Sequence, residues 1–183
     1  MSEMTWELGA ADGSVTVRTD VSGPAARTGH RLTIEMTDWS ARVRWASDHL
    51  EALTATIAVG SLQVVSGEGG LTPLTGPEKS VARSNALKSL SATKFPEISY
   101  ESISITKSDN GYRVDGSLTI CGHTRPTALD LVVEESSGSW RVGTECRLRH
   151  SDFGIKPYSL MMGALKVADQ VRVIVEVTRS RSG

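Results

Sequence analysis

Gly116-Ser117-Leu118-Thr119-Ile120-Cys121-Gly122-His123-Thr124-Arg125-Pro126, GSLTICGHTRP, is the stretch whose reading decides the fold. Leu118 and Ile120 alternate with Ser117 and Thr119, and a polar turn containing Gly122 ends the run. Upstream, Tyr112 and Val114 extend the apolar row, opposite Arg113 and Asp115. One apolar face with a period of two is the pattern of an antiparallel strand covered on one side. Asp109-Asn110-Gly111 supplies a sharp turn into this strand, because Gly accepts a positive φ.

The same alternation recurs along the chain. Leu32, Ile34 and Met36 form one row, Ala41, Val43 and Trp45 another, and Leu53, Ala55, Ile57 and Val59 a third. Leu129, Leu131 and Val133 follow, then Trp140, Val142, Thr144, Cys146 and Leu148, and finally Val171, Val173, Val175 and Val177. Between Ile98 and Ile105 the phase slips, which predicts a β-bulge near Glu101–Ser102. One segment reads as helix: Gly76-Pro77-Glu78 opens it, Lys79–Ala92 carries it, and Phe95-Pro96 lies beyond its end. Gly60–Gly76 reads as a loop-rich crossover, and Ser151–Val171 as a Met-rich, Gly-punctuated connection between two strands. Roughly seven to ten strands with one helix fit a barrel or a sandwich, and periodicity does not choose between them.

The 183 residues fit a single domain, 1–183, long enough to bury a core without staples. A formal net charge of -1 excludes a global basic field for nucleic acid, and 5% aromatics argue against a base-stacking platform. The N-terminus carries acids and no apolar signal core, and no apolar run is long enough for a transmembrane helix. The expectation is therefore a cytoplasmic protein in which Cys121 and Cys146 are free thiols.

Ser80–Tyr100 resembles the helix-then-strand segment of the YceI family, with Phe95-Pro96-Glu97-Ile98-Ser99-Tyr100 as the strand start. Gly116, Leu118-Thr119-Ile120, Gly122 and Thr124-Arg125-Pro126 match the family's next hairpin. Asp152-Phe153-Gly154-Ile155 matches a late DFGI element, and Asp169–Val177 the closing strand. The opening strand, Gly13–Thr19, lacks the aromatic and histidine positions of the family. The resemblance implies an all-β fold, an antiparallel eight-stranded lipocalin-like barrel with one short helix, holding a polyisoprenoid or other lipid. It implies a carrier without catalysis and without a cofactor beyond that ligand. An eight-stranded barrel is just wide enough for one slender ligand if its interior is apolar.

Candidate ligand contacts follow. Phe95, Tyr100, Phe153 and Tyr158 sit beside the matched motifs, and Val114 and Leu118 lie on the apolar row. Leu160, Met161 and Met162 suit an adaptable lid, since Met is flexible and polarizable. Arg83, Lys88, Lys94 and Lys156 form a candidate collar for the headgroup of a phosphorylated lipid or an isoprenoid quinone. His123 and His150 have no close metal-ligand spacing and read as surface histidines. Two other readings stay open: a lipid-acting enzyme using the same cavity, and a solid-cored structural or stress protein with Trp39, Trp45 and Trp140 filling the interior. The exposed rim leaves a homodimer open.

Overall fold

A computed structural model describes residues 2–180. In chain order the strands are β1 (Glu3–Gly9), β2 (Gly13–Arg18), β3 (Val21–Ser22), β4 (His30–Met36), β5 (Trp39–Ala46), β6 (His49–Ala58) and β7 (Leu62–Gly69). Helix α1 (Gly76–Ser89) follows. Then come β8 (Glu97–Ser108), β9 (Gly111–Ile120), β10 (His123–Ser136), β11 (Ser139–Arg149), β12 (Ser159–Leu160), β13 (Leu165–Val167) and β14 (Gln170–Ser180).

The main sheet is antiparallel and curls into a barrel-like shell, in the order β1-β5-β6-β8-β9-β10-β11-β14-β2-β4-β7. Eleven strands replace the expected eight, and the reason is local. β2 pairs with β4 while β1 pairs with β5, so the first two strands run as one ribbon kinked at 9–13. β5 pairs with β6 while β4 pairs with β7, which makes β4–β5 and β6–β7 kinked ribbons too. A 3-10 turn at Val59–Ser61 breaks the last of these. A second sheet, β12-β13-β3, has three strands.

Local chemistry accounts for the hairpins. Asp109-Asn110 turns β8 into β9, pairing Ser108 with Gly111. Cys121 and Gly122 both take positive φ, 50° and 73°, the two-residue turn whose twist matches a hairpin. The bulge in β8 lies between Ser102 and Ser104 and turns Ile103 out to solvent. Thr75 and Glu78 form a reciprocal capping box on α1.

One sequence expectation needs correction, and one strand was not read. Leu62–Gly69 is a strand rather than part of a crossover: Leu62 and Val64 point inward and the segment pairs with β4. The segment Glu3–Gly9 is likewise a strand, with Trp6 and Leu8 turned into the core. Its alternation of Met4, Trp6 and Leu8 was the available signal. No described helix is long and apolar enough to cross a membrane. Both cysteines are free thiols.

Candidate functional site

The inward rows do not meet at the centre. They enclose a cavity of about 1010 Å³ whose wall is almost wholly aliphatic and aromatic. Its walls are Val15, Val17, Ile34, Leu53, Ile57, Leu129 and Val173. At one end Trp6, Trp45, Trp140 and Tyr112 form an aromatic floor. Ring centroids lie 5.0 Å apart for Trp6–Trp45 and 6.0 Å for both contacts to Trp140. Trp6 and Trp45 line the cavity floor with Trp140 packed against them, and Trp39 lines the wall, so these rings leave the space above the floor open. At the other end α1 contributes Val81, Ala82 and Ala86 to the wall. The cavity reaches the surface there, because Leu71, Val81 and Leu160 belong to its lining and are exposed.

Three sequence motifs meet at this upper end. The Phe95 ring lies against Gly122, where a Cβ would come within 2.9 Å of it. His123 lies against Gly154, whose φ of 65° and 2.7 Å clearance exclude a side chain. Arg125 Nε donates to the Asp152 carbonyl at 2.7 Å. Pairing of β10 with β11 is confined to Val132–Ser136 against Ser139–Gly143. Above that the two strands part, and Phe153, 3% exposed, sits among residues of both.

The candidate residues divide into two groups. Tyr100, Leu118, Phe153, Tyr158 and Leu160 lie on the cavity wall. Phe95, Val114, Met161 and Met162 do not. Val114 is fully buried in the packing of the wall, and Met161 and Met162 point outward. Arg83 lies off the wall, with Nε and a terminal nitrogen donating to the Leu62 and Gly60 carbonyls at 2.7 and 2.8 Å. Lys88 and Lys156 are exposed and lie off the wall; Lys94 stands 5.3 Å from the centre of the Phe95 ring.

Periodicity did not reveal the polar atoms of this apolar wall. Trp39 Nε1, Trp45 Nε1 and Thr144 Oγ1 are buried without a hydrogen-bond partner, and all three residues line the cavity. Buried polar groups nearly always have partners. The Tyr100 hydroxyl is satisfied, donating to the Thr127 carbonyl at 2.9 Å. Burial, then the Asp115 carboxylate and the Cys146 thiol, push its pKa up to about 12, against a smaller opposing effect of Arg113. Tyr112 is raised too, chiefly by burial.

A raised phenol pKa favours the neutral form in the folded state. Above the ordinary value of 10.0 the unfolded chain loses the Tyr100 proton first, so stability falls as pH rises from there to about 12. Ultraviolet titration is expected to show a last phenol ionising near that upper value, and Tyr100→Phe to remove it. An unchanged last step in the variant would reassign it. Among the described residues no cluster of three His, Cys, Asp or Glu side chains could hold a metal ion.

Comparison with known proteins agrees with this architecture. The family model described as the YceI-like domain matches residues 6–179. A UPF0312 protein of Yersinia pestis is 27% identical over 92 residues, 48% of this chain and 46% of the relative. UPF0312 proteins of Yersinia pseudotuberculosis match equally, and the chain aligns with about half the length of these relatives. Among solved structures, BcnA of Burkholderia cenocepacia superposes with a TM-score of 0.71 at 16% identity, covering 93% of this chain and 98% of that one. The YCEI protein of Campylobacter jejuni superposes at 0.61, with 16% identity and coverage of 82% and 85%. At such identity these likenesses concern the fold.

Proposed function

The chain belongs to the YceI-like family, and from that premise we propose that it is a non-catalytic carrier holding one long-chain polyisoprenoid or similar lipid inside the barrel. The observation that carries this reading is the continuous apolar cavity of about 1010 Å³. That volume stands at the upper end of ligand pockets, roughly 300–1,000 Å³. Each buried CH₂ contributes about 0.8 kcal/mol, so an apolar chain needs no polar anchor to stay.

The wall offers little to a polar headgroup. Trp39 Nε1, Trp45 Nε1 and Thr144 Oγ1 lack a hydrogen-bond partner, but all three atoms are sunk within the wall and present no surface to the cavity. A phosphorylated headgroup draws little support, since Arg83 already serves two backbone carbonyls.

Native mass spectrometry of the purified protein, with organic extraction of whatever co-purifies, tests the carrier reading. A stoichiometric isoprenoid or quinone is expected. Protein that stays bare after incubation with a prenylated quinone and with the matching prenyl hydrocarbon would overturn it.

A further inference from the structure

Beside the cavity mouth the chain displays an apolar tip that nothing in the fold covers. Leu160 and Met161 are exposed and Met162 wholly so. Met161 and Met162 both take the left-handed conformation, φ 54° and 55°, which residues other than Gly, Asn and Asp rarely adopt. This strained geometry is held in place from below. Ala164 N donates to the Met161 carbonyl at 3.0 Å, Ala25 N to the Ala164 carbonyl at 2.8 Å, and Val167 N to the Tyr158 carbonyl at 2.9 Å. The tip is thus a supported turn on the β12-β13-β3 sheet.

The two segments that build the tip carry only positive charges, with acids at their borders. Between Asp152 and Asp169 the sequence has no acid and two lysines, Lys156 and Lys166, and between Asp20 and Glu35 it has Arg27 and Arg31 and no acid. Lys156, Lys166 and Arg27 are exposed. Of the bordering acids, the Asp20 carboxylate accepts from Val21 N and that of Asp169 from the Ser151 amide and hydroxyl, while Asp152 is exposed. Across the mouth, Glu68 faces Arg31 and Glu78 is held in the α1 cap.

We infer that this rim docks on an anionic lipid bilayer, with Leu160-Met161-Met162 entering the headgroup region and the cations meeting the lipid charge. An apolar tip flanked by cations is the chemistry of interfacial membrane binding. A second copy of the chain fits less well, because tip-to-tip contact would oppose like charges. The cavity lining continues into the tip through Tyr158, Leu160 and Leu165. A docked mouth would let an apolar ligand pass between cavity and bilayer without crossing water.

The test is sedimentation with vesicles of phosphatidylcholine alone or mixed with phosphatidylglycerol, at low and high salt. It needs no cavity ligand, so its failure is separate from failure of the carrier reading. Binding is expected with the mixed vesicles, weakening at high salt. Met161→Ser/Met162→Ser is expected to lower binding about tenfold, and Arg27→Glu/Lys156→Glu by a similar factor. These side chains are exposed, and unchanged circular dichroism and melting temperature would show that the variants fold. Wild-type protein that stays in the supernatant, or variants that bind as wild type does, would overturn the inference. A concentration-dependent dimer in analytical ultracentrifugation, lost in the methionine variant, would also overturn it and assign the tip to self-association.

Discussion

Leu118→Trp is expected to lower ligand loading at least about tenfold, equivalent to about 1.4 kcal/mol or more, while the protein stays folded. Leu118 lies on the cavity wall, so the larger ring enters open space instead of packed neighbours. The neighbouring inward position behaves differently. Val114 is on the same strand face but has no exposed surface and does not border the cavity. Val114→Trp is therefore expected to overpack the wall, at a cost of about 1–3 kcal/mol or more. Native mass spectrometry and urea denaturation of the two variants separate the effects. Undiminished loading in Leu118→Trp would place the ligand elsewhere.

Trp6→Ala is expected to destabilise the protein by about 3–5 kcal/mol, the range for losing a large aromatic side chain from a core. Trp6 is 5% exposed, touches Trp45 and Trp140, and has the Arg179 guanidinium 5.9 Å from its ring centre. Such ring pairs contribute about 0.5–1.5 kcal/mol beyond their area. Urea denaturation measures the change. A loss below about 1 kcal/mol would mean that the other rings close over the gap and that the floor does not depend on Trp6.

Much of the architecture could be read along the chain because a period of two records which face of a strand is covered. The rows from Leu32 to Val177, the turn at Asp109-Asn110-Gly111 and the phase slip in β8 all follow from that one geometric fact. The helix was legible through Pro77, Glu78 and the later Pro96. Gly60–Gly76 misled because its five glycines and Pro73 signal loops, while pairing with β4 holds its first half extended. Trp6 was missed because Glu3 and Glu7 interleave its strand, so the N-terminus reads first as an acidic segment.

Alternation determined which residues point inward, and composition determined that most of them are aliphatic. Depth was decided only by the tertiary structure: the same face of β9 places Val114 in solid packing and Leu118 on a cavity. So were the three kinks that make eleven strands, the meeting of Phe95, His123 and Asp152 at one end, and the polar atoms buried without partners inside the wall. The physical reason is that local sequence encodes the side of a strand, whereas the distance across the barrel depends on how every strand's register combines as the sheet curls.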